Sequence, residues 1–477
     1  MNLYLITLIA YSSLMIAIGA FTSARVRQSS DFFVAGRKLG GAFLFVTLLA
    51  SNIGAGSTVG ATGLGYTQGT SAWWWVGSAG IGSLFLALTV GPRIWKIASD
   101  HNLYTIGDYL ELRYDRRVKF VGALSLWVGG LVILSGQLIA IAWILGVVAG
   151  ISKTIGCLLG AFVITAYFTV GGLHSTVRVN VLQLTIKLIG FGLAILFILY
   201  ESGGLVSLKT MTALKIDPAQ SANYFGVFGK TTSTVLTYLV TLAPAFIVSP
   251  GLLQKVFGAR DARSVRLGVS VNAVCLMLFA FIPVLLGLAA RARLPRFENS
   301  ELALPTLLVQ RLPLWIGALL LAAIFSAELS AADAILFMLT TSLGKDLFKG
   351  ILKPTTTDQQ LISFTRVAAV VCAALGFLFA IELGSVIQAL SIFYSLITAI
   401  FFLPIVGGLY WSRVTAKAAF LSIIVSVLIL ILIQAGIAKA AIAGIPSLVA
   451  AITGGAITMI CVSLVTNRNR QQIVRQI

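Results

Sequence analysis

The chain has 477 residues, 58% of them hydrophobic and 10% charged, with a mean hydropathy of +1.00. That composition excludes a string of soluble domains and points to a polytopic membrane protein. The net charge of +19 does not describe a nucleic-acid surface, because the basic residues alternate between loops instead of forming one face.

Apolar runs of roughly 20 residues predict about thirteen spans. In chain order they lie near 3–21, 42–66, 72–92, 120–149, 154–171, 179–200, 232–253, 267–290, 313–343, 364–382, 385–410, 418–437 and 444–466. The first has no basic leader or small-residue cleavage site and is expected to stay in the mature protein. With the N-terminus outside, inner loops, the adjoining inner end of the tenth span and the C-terminal tail carry 24 of the 34 basic residues. By the positive-inside rule the C-terminus is then cytoplasmic, and the expected location is the cell inner membrane.

The second span contains Ser51-Asn-Ile-Gly-Ala-Gly-Ser-Thr-Val-Gly-Ala-Thr-Gly-Leu-Gly-Tyr66, too rich in glycine and hydroxyls for a plain lipid-facing helix. It predicts a broken helix, whose freed backbone groups must line a protein-enclosed or watery cavity. A second interruption is expected near Pro244 and Pro250-Gly251 in the seventh span. Two breaks five spans apart enter the membrane from opposite sides, so the pattern predicts an inverted repeat with a binding site at the midplane. The expected organisation is one transmembrane domain over 1–477. Span 3–21 is peripheral, 42–200 and 232–410 are the two repeats, and 418–466 holds two further peripheral helices.

Trp73-Trp74-Trp75 read as an interfacial belt, with one ring able to face a vestibule. The four cysteines fall within spans without metal spacing. Lys187, Glu328 and Asp333 are ionisable groups inside spans, and each needs a partner, a proton or an ion. Lys187 is expected either to snorkel to the inner interface or to lie near Glu328, and Asp333 to lie near the ion path.

Several stretches resemble the sodium:solute symporter family. They are Ser30-Asp31-Phe-Phe-Val-Ala-Gly36-Arg37, Tyr104-Thr-Ile-Gly-Asp108-Tyr-Leu-Glu-Leu-Arg113-Tyr-Asp115, Gln254-Lys-Val-Phe-Gly-Ala-Arg260, and Ser326-Ala-Glu-Leu-Ser330-Ala-Ala-Asp333 followed by Gly344-Lys-Asp346. The resemblance covers nearly the whole chain and implies an all-α, LeuT-like 5+5 inverted repeat with broken helices. It also implies a Na+ position formed by the Ala50 and Ile53 carbonyls with Ala327 and Ser330, to which Asp333 is added as a buried acid one turn on. The chain departs from the family pattern at Ala331, where a second hydroxyl is usual, and at Asn180, where an aspartate is frequent. For the solute, the expected side chains are Asn52, Ser57 and Gln388. These are neutral hydrogen bonders, and with no lysine or arginine placed in the breaks they favour a neutral or zwitterionic small organic solute.

The function expected is secondary active, Na+-coupled symport by alternating access. The alternatives are H+-coupled or uncoupled transport on the same fold, or a transporter-like sensor working through a separate partner. Asn467–Ile477 is too short for a signalling domain. No nucleophile elbow or metal motif suggests an enzyme, and no nucleic acid or obligate protein partner is expected beside the lipid bilayer.

Overall fold

The computed structural model describes residues 3–23, 37–229, 232–353, 355–437 and 446–474. The first family-like stretch therefore lies outside the described residues, except for Arg37. Within them, ten helical segments are long and apolar enough to cross a membrane, and Leu3–Ile18, Gly41–Asn52 and Lys153–Thr169 are shorter apolar helices. Every expected span is helical, the fifth and sixth falling within one helix, Lys153–Glu201, because a helix satisfies its own backbone where no water is available. Exposed apolar side chains such as Phe162, Leu196 and Val367 suit contact with lipid.

The helices are numbered in chain order. Helix α1 is Leu3–Ser23, α2 Gly41–Asn52, α3 Val59–Gln68, α4 Trp73–Phe85, α5 Gly91–Asp100, α6 Ile106–Arg113, α7 Arg116–Ala149 and α8 Lys153–Glu201. Then come α9 Leu205–Ala213, α10 Pro218–Tyr224, α11 Thr232–Val248, α12 Pro250–Phe257, α13 Ala262–Phe279, α14 Phe281–Arg293, α15 Ala303–Arg311 and α16 Leu314–Thr341. The chain closes with α17 Asp358–Glu382, α18 Val386–Ile397, α19 Leu403–Tyr410, α20 Ala416–Gln434 and α21 Ser447–Val474.

The two interruptions differ in kind. Between α2 and α3 the backbone leaves the helix at Ile53 (φ −87°, ψ 94°) and Gly54 (φ −142°, ψ −161°), makes one short turn over Ala55–Ser57, and resumes after Thr58. Between α11 and α12 the break is one residue, Ser249 (φ −53°, ψ 119°), with Pro250 opening the new helix. A proline is tolerated in the first turn, where its missing N–H has no intrahelical partner to lose. Pro244, expected to share in the interruption, instead lies inside a continuous α11.

On one side of the bundle the segment preceding α2 meets the segment following α12. Leu39 N–H donates to Gly258 O at 3.1 Å, and Arg260 N–H donates to Leu39 O at 2.9 Å. The Arg37 guanidinium donates to Phe257 O and Leu103 O. On the same side Asp108 opens α6. It accepts from Tyr104 N–H at 2.9 Å and Thr105 N–H at 3.1 Å, and pairs with Lys345 at 2.6 Å and Lys119 at 3.5 Å. Asp346 accepts from Thr105 Oγ1 at 2.6 Å, so this bond and the Lys345–Asp108 pair tie the end of the ninth span to the start of α6.

Toward the opposite side Glu301 is buried and accepts from Trp143 Nε1 and from the Val386 and Ile387 N–H groups, all within 3.1 Å. Burial pushes its carboxyl above the usual range, against the lowering effect of those bonds. An acid placed there satisfies the otherwise orphaned first N–H groups of α18.

Candidate functional site

Both breaks open onto one cavity, with about 830 Å³ of empty space when its open mouth is included. Asn52, Gly54, Gly56 and Ser57 line it from the first break, Ser249, Gly251 and Lys255 from the second. Helix α16 adds Ala331, Ile335 and Met338. An aromatic group covers part of it: Trp75 meets Tyr238 edge-on at 5.4 Å, and Phe246 meets Tyr394 at 5.5 Å.

The first break is held open by specific bonds. Gly54 N–H donates to Ser57 Oγ at 3.0 Å, Ala55 N–H donates to Gln137 Oε1 at 3.0 Å, and Trp75 Nε1 donates to Gly56 O at 2.9 Å. Thr58 Oγ1 lies 2.9 Å from Glu328 Oε1. Each supplies a partner that the interrupted helix cannot, which is what an unwound stretch at membrane depth requires. A side chain at Gly54 would put its Cβ 2.5 Å from the Ala331 Cβ, so glycine there is required by close approach to α16.

The residues expected at the ion position come together. Ala50 O, Ile53 O and Ser330 Oγ converge, and Ser330 Oγ lies 2.7 Å from Ala50 O and 3.3 Å from Ala327 O. At the centre of the convergence is the Lys187 ammonium, bonded to Ala50 O at 2.6 Å, to Ile53 O at 3.1 Å, and to Ser330 Oγ. Lys187 is fully buried, so the expectation that it snorkels outward does not hold: its stem points into the bundle, where three acceptors meet it. Glu328 does lie near enough to act on it electrostatically, as expected, but the two make no ion-pair contact, and Glu328 Oε1 accepts from Thr58 Oγ1. Asp333 is buried but is not among the atoms that meet Lys187.

Of the residues expected to touch solute, Asn52 and Ser57 line the cavity. Asn52 Nδ2 donates to Asn272 Oδ1 at 3.2 Å, and Ser57 Oγ is engaged with the break's own backbone. Gln388 does not belong there. It is exposed in the first turn of α18, where its side chain accepts from Gly384 N–H at 3.1 Å and its own N–H donates to Ser385 Oγ. The glutamine on the cavity wall is Gln137, whose place in an apolar run reads equally well as a simple interhelical hydrogen bonder.

Lys255 is a second group that the hydropathy pattern conceals. The apolar run ends near residue 253, which places Lys255 in an inner loop when the sequence is read alone. Because the helix restarts at Pro250, Gly251 and Lys255 fall on one face, four residues apart. The Lys255 ammonium bonds to Thr47 O at 2.9 Å and to Ser51 Oγ while bordering the cavity. A lysine therefore does reach the breaks, where none was expected.

Comparison with known proteins agrees with this geometry. The chain is 27% identical over 433 residues to the sodium/pantothenate symporter of Escherichia coli strain K12, covering 88% of each chain. It is 24% identical to the sodium/glucose cotransporter of Vibrio parahaemolyticus, covering 87% of this chain and 82% of that protein. Among solved structures it resembles the substrate-bound, outward-open state of a Na+-coupled sialic acid symporter (TM-score 0.82, 19% identity, 98% of each chain), a likeness that shows a common fold. The model of the sodium:solute symporter family matches residues 32–426. The chain therefore belongs to the sodium:solute symporter family, and on this LeuT-type fold it works as a multi-pass, Na+-coupled symporter of a small solute.

Proposed function

We propose that the solute carries a carboxylate, as a zwitterion or an anion, and is imported through the inner membrane by alternating access around the cavity between the two breaks. The observation that carries this reading is Lys255, a cation at the edge of a cavity otherwise lined by amide, hydroxyl and apolar groups. An ammonium has three donors; two are used on Thr47 O and Ser51 Oγ, and the third can serve a solute carboxylate. Pantothenate, named for the Escherichia coli relative, is such a carboxylate.

In this reading Asn52, Gln137 and Lys255 orient the solute, Ser57 shapes the break, and Ala50, Ile53, Ala327 and Ser330 supply oxygens toward the ion, with Asp333 a buried acid beside its path. The repeats are 42–200 and 232–410, the N-terminus is outside, and the C-terminus is cytoplasmic, supported by the basic residues of the inner loops. The chain works without an obligate protein partner and catalyses no covalent reaction.

The test is uptake by purified protein in proteoliposomes under an inward Na+ gradient, with pantothenate, proline and glucose compared and a proton gradient as a separate arm. Accumulation of a carboxylate under Na+ is expected. Glucose uptake with no carboxylate uptake would refute the proposal. Lys255→Met is expected to raise the half-saturating carboxylate concentration by about tenfold to a hundredfold, the worth of a charge-assisted hydrogen bond. Unchanged affinity in that variant would remove Lys255 from the solute site.

A further inference from the structure

We propose that Lys187 is a tethered cation that holds the expected ion position, so that its ammonium and Na+ exclude one another and Na+ enters only as Lys187 withdraws. The three oxygens assembled there suit a hard cation, which takes oxygen ligands from carbonyls and hydroxyls. In the structure those same oxygens are taken by a positive group of this chain. Its three donors match three acceptors, Ala50 O, Ile53 O and Ser330 Oγ.

The local packing explains how a lysine on α8 reaches this point. One turn after Lys187, Gly190 lets the α8 backbone press against α16: a Cβ at Gly190 would stand 2.5 Å from the Ala323 Cβ and 3.1 Å from Leu319 O. The lysine stem then spans from α8 to the break and bonds the end of α2 to Ser330. Among the described residues Lys187 has no carboxylate within 4 Å. Glu328 acts on it electrostatically from farther away, and the atoms it bonds are the backbone and hydroxyl set expected for the ion. A second cation at those oxygens would face an ammonium at contact distance in a low-dielectric interior, where like charges repel strongly. The four-carbon stem gives Lys187 the freedom to vacate the place.

Two consequences distinguish a tethered cation from a purely structural staple. Removing the ammonium leaves three converging oxygens that Na+ can bind without competition, and saturating Na+ displaces the ammonium in the unaltered chain. The inference rests on the symport reading for its meaning, but its test needs no solute. Purified protein is heated in detergent while NaCl replaces choline chloride at constant ionic strength, because a ligand of the native state raises its apparent stability. Lys187→Met is expected to show a saturable rise in unfolding temperature, with a half-saturating Na+ concentration at least about tenfold below that of the unaltered protein. The same half-saturating concentration in both, or no response to Na+ in either, overturns the proposal.

Should Lys187→Met fail to fold, the unaltered protein still decides. Acetic anhydride labelling of Lys187, read by mass spectrometry, is expected to increase in saturating NaCl relative to choline, and equal labelling overturns the proposal. Failure of the carboxylate reading would appear separately, as absent carboxylate uptake with these Na+ effects intact.

Discussion

Gly287→Val is expected to abolish uptake and to lower the unfolding temperature. At the crossing of α3 and α14 two glycines bring backbone against backbone. A Cβ at Gly287 would lie 2.5 Å from Thr62 O and 2.6 Å from Tyr66 N, and one at Gly65 would lie 2.9 Å from Val284 O. Neither contact can be relieved by turning a side chain, so the helices must separate. Overpacking of this kind costs about 1–3 kcal/mol, occasionally more, and small residues are what allow such close approach between membrane helices. The displaced element is α3, which begins at the first break, so the geometry at Gly54–Thr58 moves with it. Gly192, with open space around its would-be Cβ, is the control: Gly192→Val is expected to retain uptake. Thermal unfolding in detergent and Na+-driven uptake check both variants, and a functional Gly287→Val would show that this crossing is not tight.

Asp108→Asn is expected to cost about 3 kcal/mol, in the range found when one partner of a largely buried ion pair is removed. The Asp108 side chain is 17% exposed and that of its partner Lys345 19%, so solvent screens the pair only partly. The substitution leaves Lys345 with a neutral neighbour and weakens the cap on the Tyr104 and Thr105 N–H groups. Burial by itself raises the Asp108 carboxyl, but Lys345, the Tyr104 N–H and Lys119 outweigh it and hold the carboxyl below its ordinary value of 3.8. Its stabilising contribution is therefore fully present above pH about 4 and is lost as pH falls through the lowered value. Unfolding temperature against pH should show this loss in the unaltered protein, and Asp108→Asn should flatten it. Equal slopes for the two proteins between about pH 3 and 5 would remove Asp108 as the source.

The spans and the first break were legible because each depends on local chemistry, whereas the meeting of Ala50, Ile53 and Ser330 was expected only from the family resemblance. A long apolar run must be helical in lipid, and glycine mixed with hydroxyls marks a backbone that must find partners off its own helix. Gln388 was misplaced because an amide in an apolar run looks alike whether it faces a cavity or caps a helix at the water boundary. Lys255 was missed for the opposite reason: one residue of non-helical backbone at Ser249 rotates the following helix and turns an apparent loop lysine onto the cavity wall.

By itself the sequence determined the membrane class, the order of the apolar runs, and the presence of interruptions, since all of these follow from hydropathy and backbone propensity read along the chain. Only the tertiary structure decided which polar atoms face one another. Lys187 and Ser330 are separated by 143 residues, and no periodicity in either helix reveals that their faces meet. That meeting is set by close helix packing at Gly190 and by the direction in which the broken α2 presents its last carbonyls. Both are properties of how helices cross, and a residue's own stretch of sequence does not contain them.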